Sequence, residues 1–161
     1  KMQTNIPNVY AAGDVTGYSL LAHTAYREAE VAVNNISGGR DHMRYNAVPA
    51  VVYTNPEVSS VGYTEKLASE KGIKYKVAKL PMTYAGRFMA ENEGENGLCK
   101  VLVGEKYGEV LGVHMIGNPS SEMIYGAAMA IENEMTLKEL QEVVFPHPTV
   151  SEIFKEVIFS F

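Results

Sequence analysis

A single cysteine, Cys99, leaves the 161-residue chain without any internal disulfide. That suits a reducing, cytoplasmic compartment better than a secreted scaffold. No apolar run approaches the roughly 20 residues that a membrane-spanning helix requires, and the N-terminus lacks the charged-then-apolar pattern of a secretory signal. No membrane partner is expected. Lys and Arg number 14 against 19 Asp and Glu, a net charge of −5, and the basic residues form no cluster, which argues against nucleic acid as a partner. The four histidines, His23, His42, His114 and His147, stand apart from Cys and acidic residues at metal-ligand spacing, so no metal site is expected. A G-x-G-x-x-G dinucleotide fingerprint is also missing.

Hydrophobic residues make up 46% of the chain, enough to furnish one domain, or one domain and part of another. Val9-Tyr10-Ala11-Ala12-Gly13-Asp14 reads as a buried strand ending in a turn. Asp14 then lies at the end where open α/β sheets bind ligands, although a lone Asp after a strand is more often a turn or helix-cap residue. Leu20 to Ile36 has helical spacing at Leu21, Ala25, Ala29, Ala32, Val33 and Ile36, with Ser19 as N-cap and Ser37-Gly38-Gly39 as the stop. Turn formers and charges at Gly38-Gly39-Arg40-Asp41 mark a boundary. Residues 1–46 then look like the tail of a larger domain, and residues 47–161 like a domain of their own.

Beyond the boundary the rhythm becomes that of strands. Val48 to Tyr53, Val58 to Tyr63 and Tyr75 to Leu80 are β-type runs, and Gly97 to Val103 with Glu109 to Ile116 forms the clearest hairpin. Cys99 falls inside that hairpin as a small buried hydrophobe. Thr64 to Lys71, Ser120 to Glu132 and Thr136 to Glu142 read as helices, with Ser120 or Ser121 capping the second. The section between Met82 and Asn96 shows no clean period. The expected fold class is α+β, a mainly antiparallel sheet with helices on one face.

Near the C-terminus, Pro146-His147-Pro148-Thr149-Val150-Ser151-Glu152 combines a side chain that carries protons near neutrality with strict backbone control. Val150, Ile153, Phe154, Val157 and Ile158 then give helical spacing, so His147 stands just before a helix that begins after Pro148. A carboxylate such as Glu152 can orient the imidazole and fix which nitrogen carries the hydrogen, as a general acid/base needs. Thr149-x-x-Glu152 is equally a capping box for the helix. Composition alone favours a trans His147-Pro148 bond.

As strings, His147-Pro148-Thr149-x-Ser151-Glu152 and Asn5-Ile6-Pro7-Asn8-Val9-Tyr10-Ala11-Ala12-Gly13-Asp14-Val15 resemble two signatures of the flavin-dependent pyridine nucleotide-disulfide oxidoreductases. They match that family's C-terminal motif and its second flavin fingerprint. The likeness runs over essentially the whole chain, including Gly112-Val113-His114-Met115-Ile116-Gly117. It implies a homodimeric enzyme that uses FAD and NAD and passes electrons from dihydrolipoyl groups through an enzyme disulfide. Lipoyl-bearing components of a multienzyme complex are its implied partners. His147 becomes the acid/base reaching into the partner subunit's site, across a usually cis His-Pro bond. Glu152 becomes its orienter, with Thr149 and Ser151 as supports. Asp14 is implied to bond the ribityl chain of FAD, and Leu20, Leu21, Ala22 and His23 to lie against the flavin. The redox cysteine pair and the nicotinamide-binding unit of the family are missing, so the expectation is a C-terminal piece: the end of an FAD domain, then an interface domain. That piece alone is expected to be inert and to hold no cofactor firmly. A sister enzyme of the same family and a non-catalytic dimerisation module, in which His147 and Glu152 only cap and pack, are the alternatives.

Overall fold

Alternation of apolar and polar residues between Ala50 and Ile116 builds one antiparallel sheet. The computed structural model describes residues 1–161, which divide into two units, Lys1–Tyr45 and Asn46–Phe161. In the second unit the strands are β1 (Ala50–Val52), β2 (Val58–Gly62), β3 (Tyr75–Pro81), β4 (Leu98–Gly104) and β5 (Val110–Ile116), in the order β1-β2-β5-β4-β3. The expected hairpin is β4–β5, with Cys99 opposite Met115 and Val101 opposite Val113. Because side chains alternate along a strand, Cys99, Val101, Val113 and Met115 share one face and are buried. Lys100 and His114, paired with each other, take the opposite face.

Helices α2 (Glu65–Glu70), α3 (Gly86–Glu91), α4 (Ser120–Glu132), α5 (Leu137–Gln141) and α6 (Glu152–Phe159) complete this unit. α4 packs on β2 and β5, and α6 on β3 and β4, which gives the α+β architecture expected from the sequence. On the other face, the Lys100 ammonium meets Glu65, at the start of α2, at 2.8 Å. Gly112 faces Gly62 in the β2–β5 ladder. A Cβ at Gly112 would stand 2.0 Å from the Tyr63 carbonyl oxygen, so the close approach of these strands requires glycine.

Two helix starts differ from the sequence expectation. Ser120 and Ser121 do not cap α4; Pro119 holds the cap position without a side-chain bond. Glu57 reaches over from beside β2 to accept the Ser121 N–H at 2.9 Å, so a distant carboxylate does the work assigned to a local hydroxyl. The segment without clean periodicity contains α3 and a 3-10 turn, Met82–Tyr84. Its buried anchors, Met82, Ala85 and Phe88, recur every three residues, a spacing that an α-helical template does not match.

The first unit holds one long helix, α1 (Ala22–Ile36), beginning two residues later than expected. The strand expected at Val9–Asp14 does not form. Only Tyr10 bridges, to Gln3, and Val9 is exposed, because this unit offers no further strand to pair with. The buried stripe of α1 is Thr24, Glu28, Val31 and Ala32, whereas Val33 and Ile36 of the expected apolar face are 58% and 62% exposed. A polar anchor, Glu28, selects the inward face.

Candidate active site

The acid/base candidate rests on the buried side of α6. Val150, Ile153, Phe154, Val157 and Ile158 are all buried, each contributing about 2 kcal/mol through lost apolar exposure. Phe145 sets an edge against the Phe154 ring, with centroids 6.3 Å apart, so the chain entering Pro146 is pinned to the same core. The helix begins at Glu152, later than directly after Pro148. Pro148 to Ser151 make the turn between the two.

Within that turn Thr149 and Glu152 carry the polar contacts. The Thr149 hydroxyl donates to the Pro146 carbonyl at 2.9 Å. One carboxylate oxygen of Glu152, Oε2, accepts the Thr149 N–H at 2.9 Å, and the other, Oε1, lies 2.9 Å from His147 Nδ1. The two sequence readings of Glu152 are therefore compatible: a single carboxylate serves half of a capping box and holds the imidazole. The other half is absent, and Ser151 makes no side-chain cap bond. The Thr149 N–H first, and then His147, hold the Glu152 carboxyl below the usual carboxylate range. A lowered value stabilises the folded helix start above the ordinary carboxylate range, and this contribution is lost as pH falls through the lowered value.

An ionised carboxylate only accepts, so Nδ1 carries a hydrogen, and in the neutral ring Nε2 is left with its lone pair. The His147 side chain is 79% exposed, against 15% for Glu152. The ring thus stands clear of its own core on a clamped stem, free to exchange a proton at Nε2. The His147-Pro148 bond is cis, unlike the trans form that composition alone favours.

The remaining sequence candidates lie in the first unit. Asp14 is exposed and opens a 3-10 turn, Asp14–Thr16, closed by the Gly17 N–H on the Asp14 carbonyl at 3.0 Å. Gly13 before it has φ 83° and ψ −158°, a conformation open to glycine and costly to other residues. Leu20 is exposed, Leu21 half-buried, and Ala22 and His23 exposed at the first turn of α1. Leu21 takes the cap position and no side chain caps the helix; Ser19, the expected cap, bonds Thr24 at 2.9 Å instead. The start of α1 therefore offers backbone N–H groups and a positive dipole end to a partly negative ligand atom.

Sequence reasoning passed over Glu28 and Tyr45. Glu28 is fully buried and accepts from the Gly13 N–H and from the Tyr45 hydroxyl, each at 2.6 Å. Its signal was present: a charged residue at the helical spacing of Thr24, Val31 and Ala32. Cys99 carries no chemistry here, since burial pushes its thiol up to about 12. No three His, Cys, Asp or Glu side chains group to hold a metal, and no helix is long and apolar enough to cross a membrane.

Residues 48–158 match the family described as pyridine nucleotide-disulphide oxidoreductase, dimerisation domain. The mitochondrial dihydrolipoyl dehydrogenase of Sus scrofa is 42% identical over 156 residues, covering 97% of this chain and 30% of that protein. The dihydrolipoyl dehydrogenase of Chlamydia muridarum is 41% identical, covering 96% of this chain and 33% of that protein. The chain thus spans about a third of the length of these relatives. Among solved structures, LpdA from Mycobacterium tuberculosis superposes with a TM-score of 0.91 at 27% identity, covering 99% of this chain and 35% of that one. The HOCl-induced flavoprotein disulfide reductase RclA from Escherichia coli gives 0.86 at 27% identity, covering 98% and 37%.

Proposed function

The chain belongs to the pyridine nucleotide-disulphide oxidoreductase family, with that family's dimerisation domain at residues 48–158, and from this premise we propose that it is the C-terminal part of a dihydrolipoyl dehydrogenase. The whole enzyme oxidises protein-bound dihydrolipoyl groups, pairs as a homodimer through this domain, and serves lipoyl-bearing components of a multienzyme complex. A cytoplasmic setting goes with the lone, buried cysteine. The observation that carries the reading is the His147–Glu152 pair, a carboxylate-held imidazole on a largely exposed side chain.

His147 takes the thiol proton of the dihydrolipoyl group at Nε2, which raises the thiolate character of the attacking sulfur. Glu152 holds the ring through Nδ1–H and balances the imidazolium charge once the proton arrives. The redox cysteine pair and the nucleotide-binding domains are assigned to the rest of the polypeptide, and the isolated 161-residue chain is expected to show no turnover. The flavin edge fits this assignment, because an exposed carboxylate, an exposed leucine and a helix start without a side-chain cap lie together in the first unit. Asp14 would hold the ribityl chain of FAD, and Leu20, Leu21, Ala22 and His23 would lie against the ring and offer N–H groups. When bound, FAD and NAD supply the electron transfer. The full-length polypeptide is expected to reduce NAD with dihydrolipoamide and to leave glutathione disulfide unreduced by NADPH; the opposite preference would replace dihydrolipoyl dehydrogenase with a sister enzyme.

Substituting Glu152→Gln separates orientation from capping. The amide oxygen still accepts the Thr149 N–H, but the amide nitrogen donates where Nδ1–H must be accepted, which favours the wrong imidazole tautomer. Turnover should fall about ten- to a hundredfold, with the thermal midpoint nearly unchanged and the pH–rate profile displaced. A variant with the wild-type rate and profile would leave Glu152 only its helix-start role.

A further inference from the structure

We infer that Glu28 is a positioning residue for the flavin edge, its buried carboxylate setting the Gly13-Asp14 turn so that Asp14 meets the sugar chain of the cofactor. This rests on the assignment of Asp14 to FAD made above. Glu28 is the one charged residue among the fully buried side chains, and a buried carboxylate is costly unless its oxygens are bonded. Both are. Oε2 accepts the Gly13 N–H at 2.6 Å, and Oε1 accepts the Tyr45 hydroxyl at 2.6 Å, with the Thr16 hydroxyl further off at 3.5 Å.

These bonds close on the two ends of one short loop. Gly13 is held directly, in a backbone conformation that glycine alone adopts easily. Tyr18, at the far end, stacks on Tyr45 with centroids 5.1 Å apart and an interplanar angle of 16°, and Tyr45 is itself tethered by Glu28. Asp14 lies between the two clamps, exposed, and makes no bond to Glu28. An apolar side chain at position 28 would suit the stripe of Val31 and Ala32 as far as packing goes. The carboxylate is explained by what it holds.

The test uses the full-length flavoprotein stripped of FAD and titrated with it, following flavin fluorescence, for wild type, D14A, E28M, E28Q, Y45F and D14A/E28M. Losing charge-assisted bonds to the turn should raise the Kd for FAD about ten- to a hundredfold in E28M. E28Q, whose amide oxygen still accepts the Gly13 N–H, should stay within a few-fold of wild type. The double variant should bind no more weakly than D14A alone, since Glu28 acts through Asp14. Wild-type affinity in E28M beside a weakened D14A would overturn the inference, as would additive losses in the double variant. If E28M fails to fold, Y45F, which removes a single hydroxyl, carries the same comparison: a Kd raised a few-fold, and raised no further in the D14A background. Wild-type affinity in D14A itself would remove the flavin role of Asp14 and this inference with it.

Discussion

A full-length polypeptide carrying His147→Gln is expected to oxidise dihydrolipoamide about 10²- to 10⁴-fold more slowly than wild type, the range that a positioned general acid/base contributes. The glutamine amide is close in size to the imidazole and can donate to Glu152 Oε1, so the bond now made at 2.9 Å by Nδ1 has a replacement. Thr149 keeps its bond to Glu152 Oε2 and its hydroxyl bond to Pro146. What glutamine lacks is a nitrogen that accepts a proton near neutrality. Because the His147 side chain is 79% exposed, its replacement disturbs no core packing, and the thermal midpoint should barely move. FAD content should hold too, since the residues assigned to the flavin belong to Lys1–Tyr45. The loss should appear in rapid-mixing measurements of flavin reduction by dihydrolipoamide; a variant reduced at the wild-type rate would remove His147 from the proton transfer.

Where the sequence was legible, a local rule governed the outcome. The β4–β5 hairpin and the buried face of α6 follow from alternation and from helical spacing, each decided within a few residues. Thr136 caps α5 in a complete box with Glu139, and Thr64 caps α2, as short-range capping chemistry requires. Where the outcome depended on residues far along the chain, the pattern misled. Glu57 reaches Ser121 across 64 positions, and no local signal at Ser120 or Ser121 announces that carboxylate. In α1 the expected inward face ran through Leu21, Ala25, Ala29, Ala32, Val33 and Ile36; Ala32 is buried, but Glu28, bonded to Gly13 and Tyr45, brings Thr24 and Val31 inward and leaves Ala29, Val33 and Ile36 exposed. The single strand at Val9–Asp14 failed for a related reason, since a strand is stable only with neighbours. At the His147 motif two readings of Glu152 competed on spacing alone, and the geometry gives one oxygen to each.

The second large effect concerns which subunit His147 serves. Within its own unit the imidazole meets Glu152 and is otherwise turned to solvent. Elsewhere in the same unit Val143, Val144 and Phe159 are exposed by 45%, 91% and 56%, apolar side chains that an interface would cover. In a twofold dimer each such surface meets its own copy, so each His147 can complete the site of the opposite chain. Turnover should then depend on pairing, and two inactive chains should rescue one another.

Mixed dimers put this to the test directly: one chain carries His147→Gln with its cysteine pair intact, the other keeps His147 but has the cysteine pair replaced by serine, and differently tagged chains allow the mixed species to be isolated. Service across the interface completes one of the two sites, so turnover should recover to about half that of the wild-type dimer. If His147 serves its own chain instead, neither site is complete, and a mixed dimer as inactive as its two parents would contradict the account.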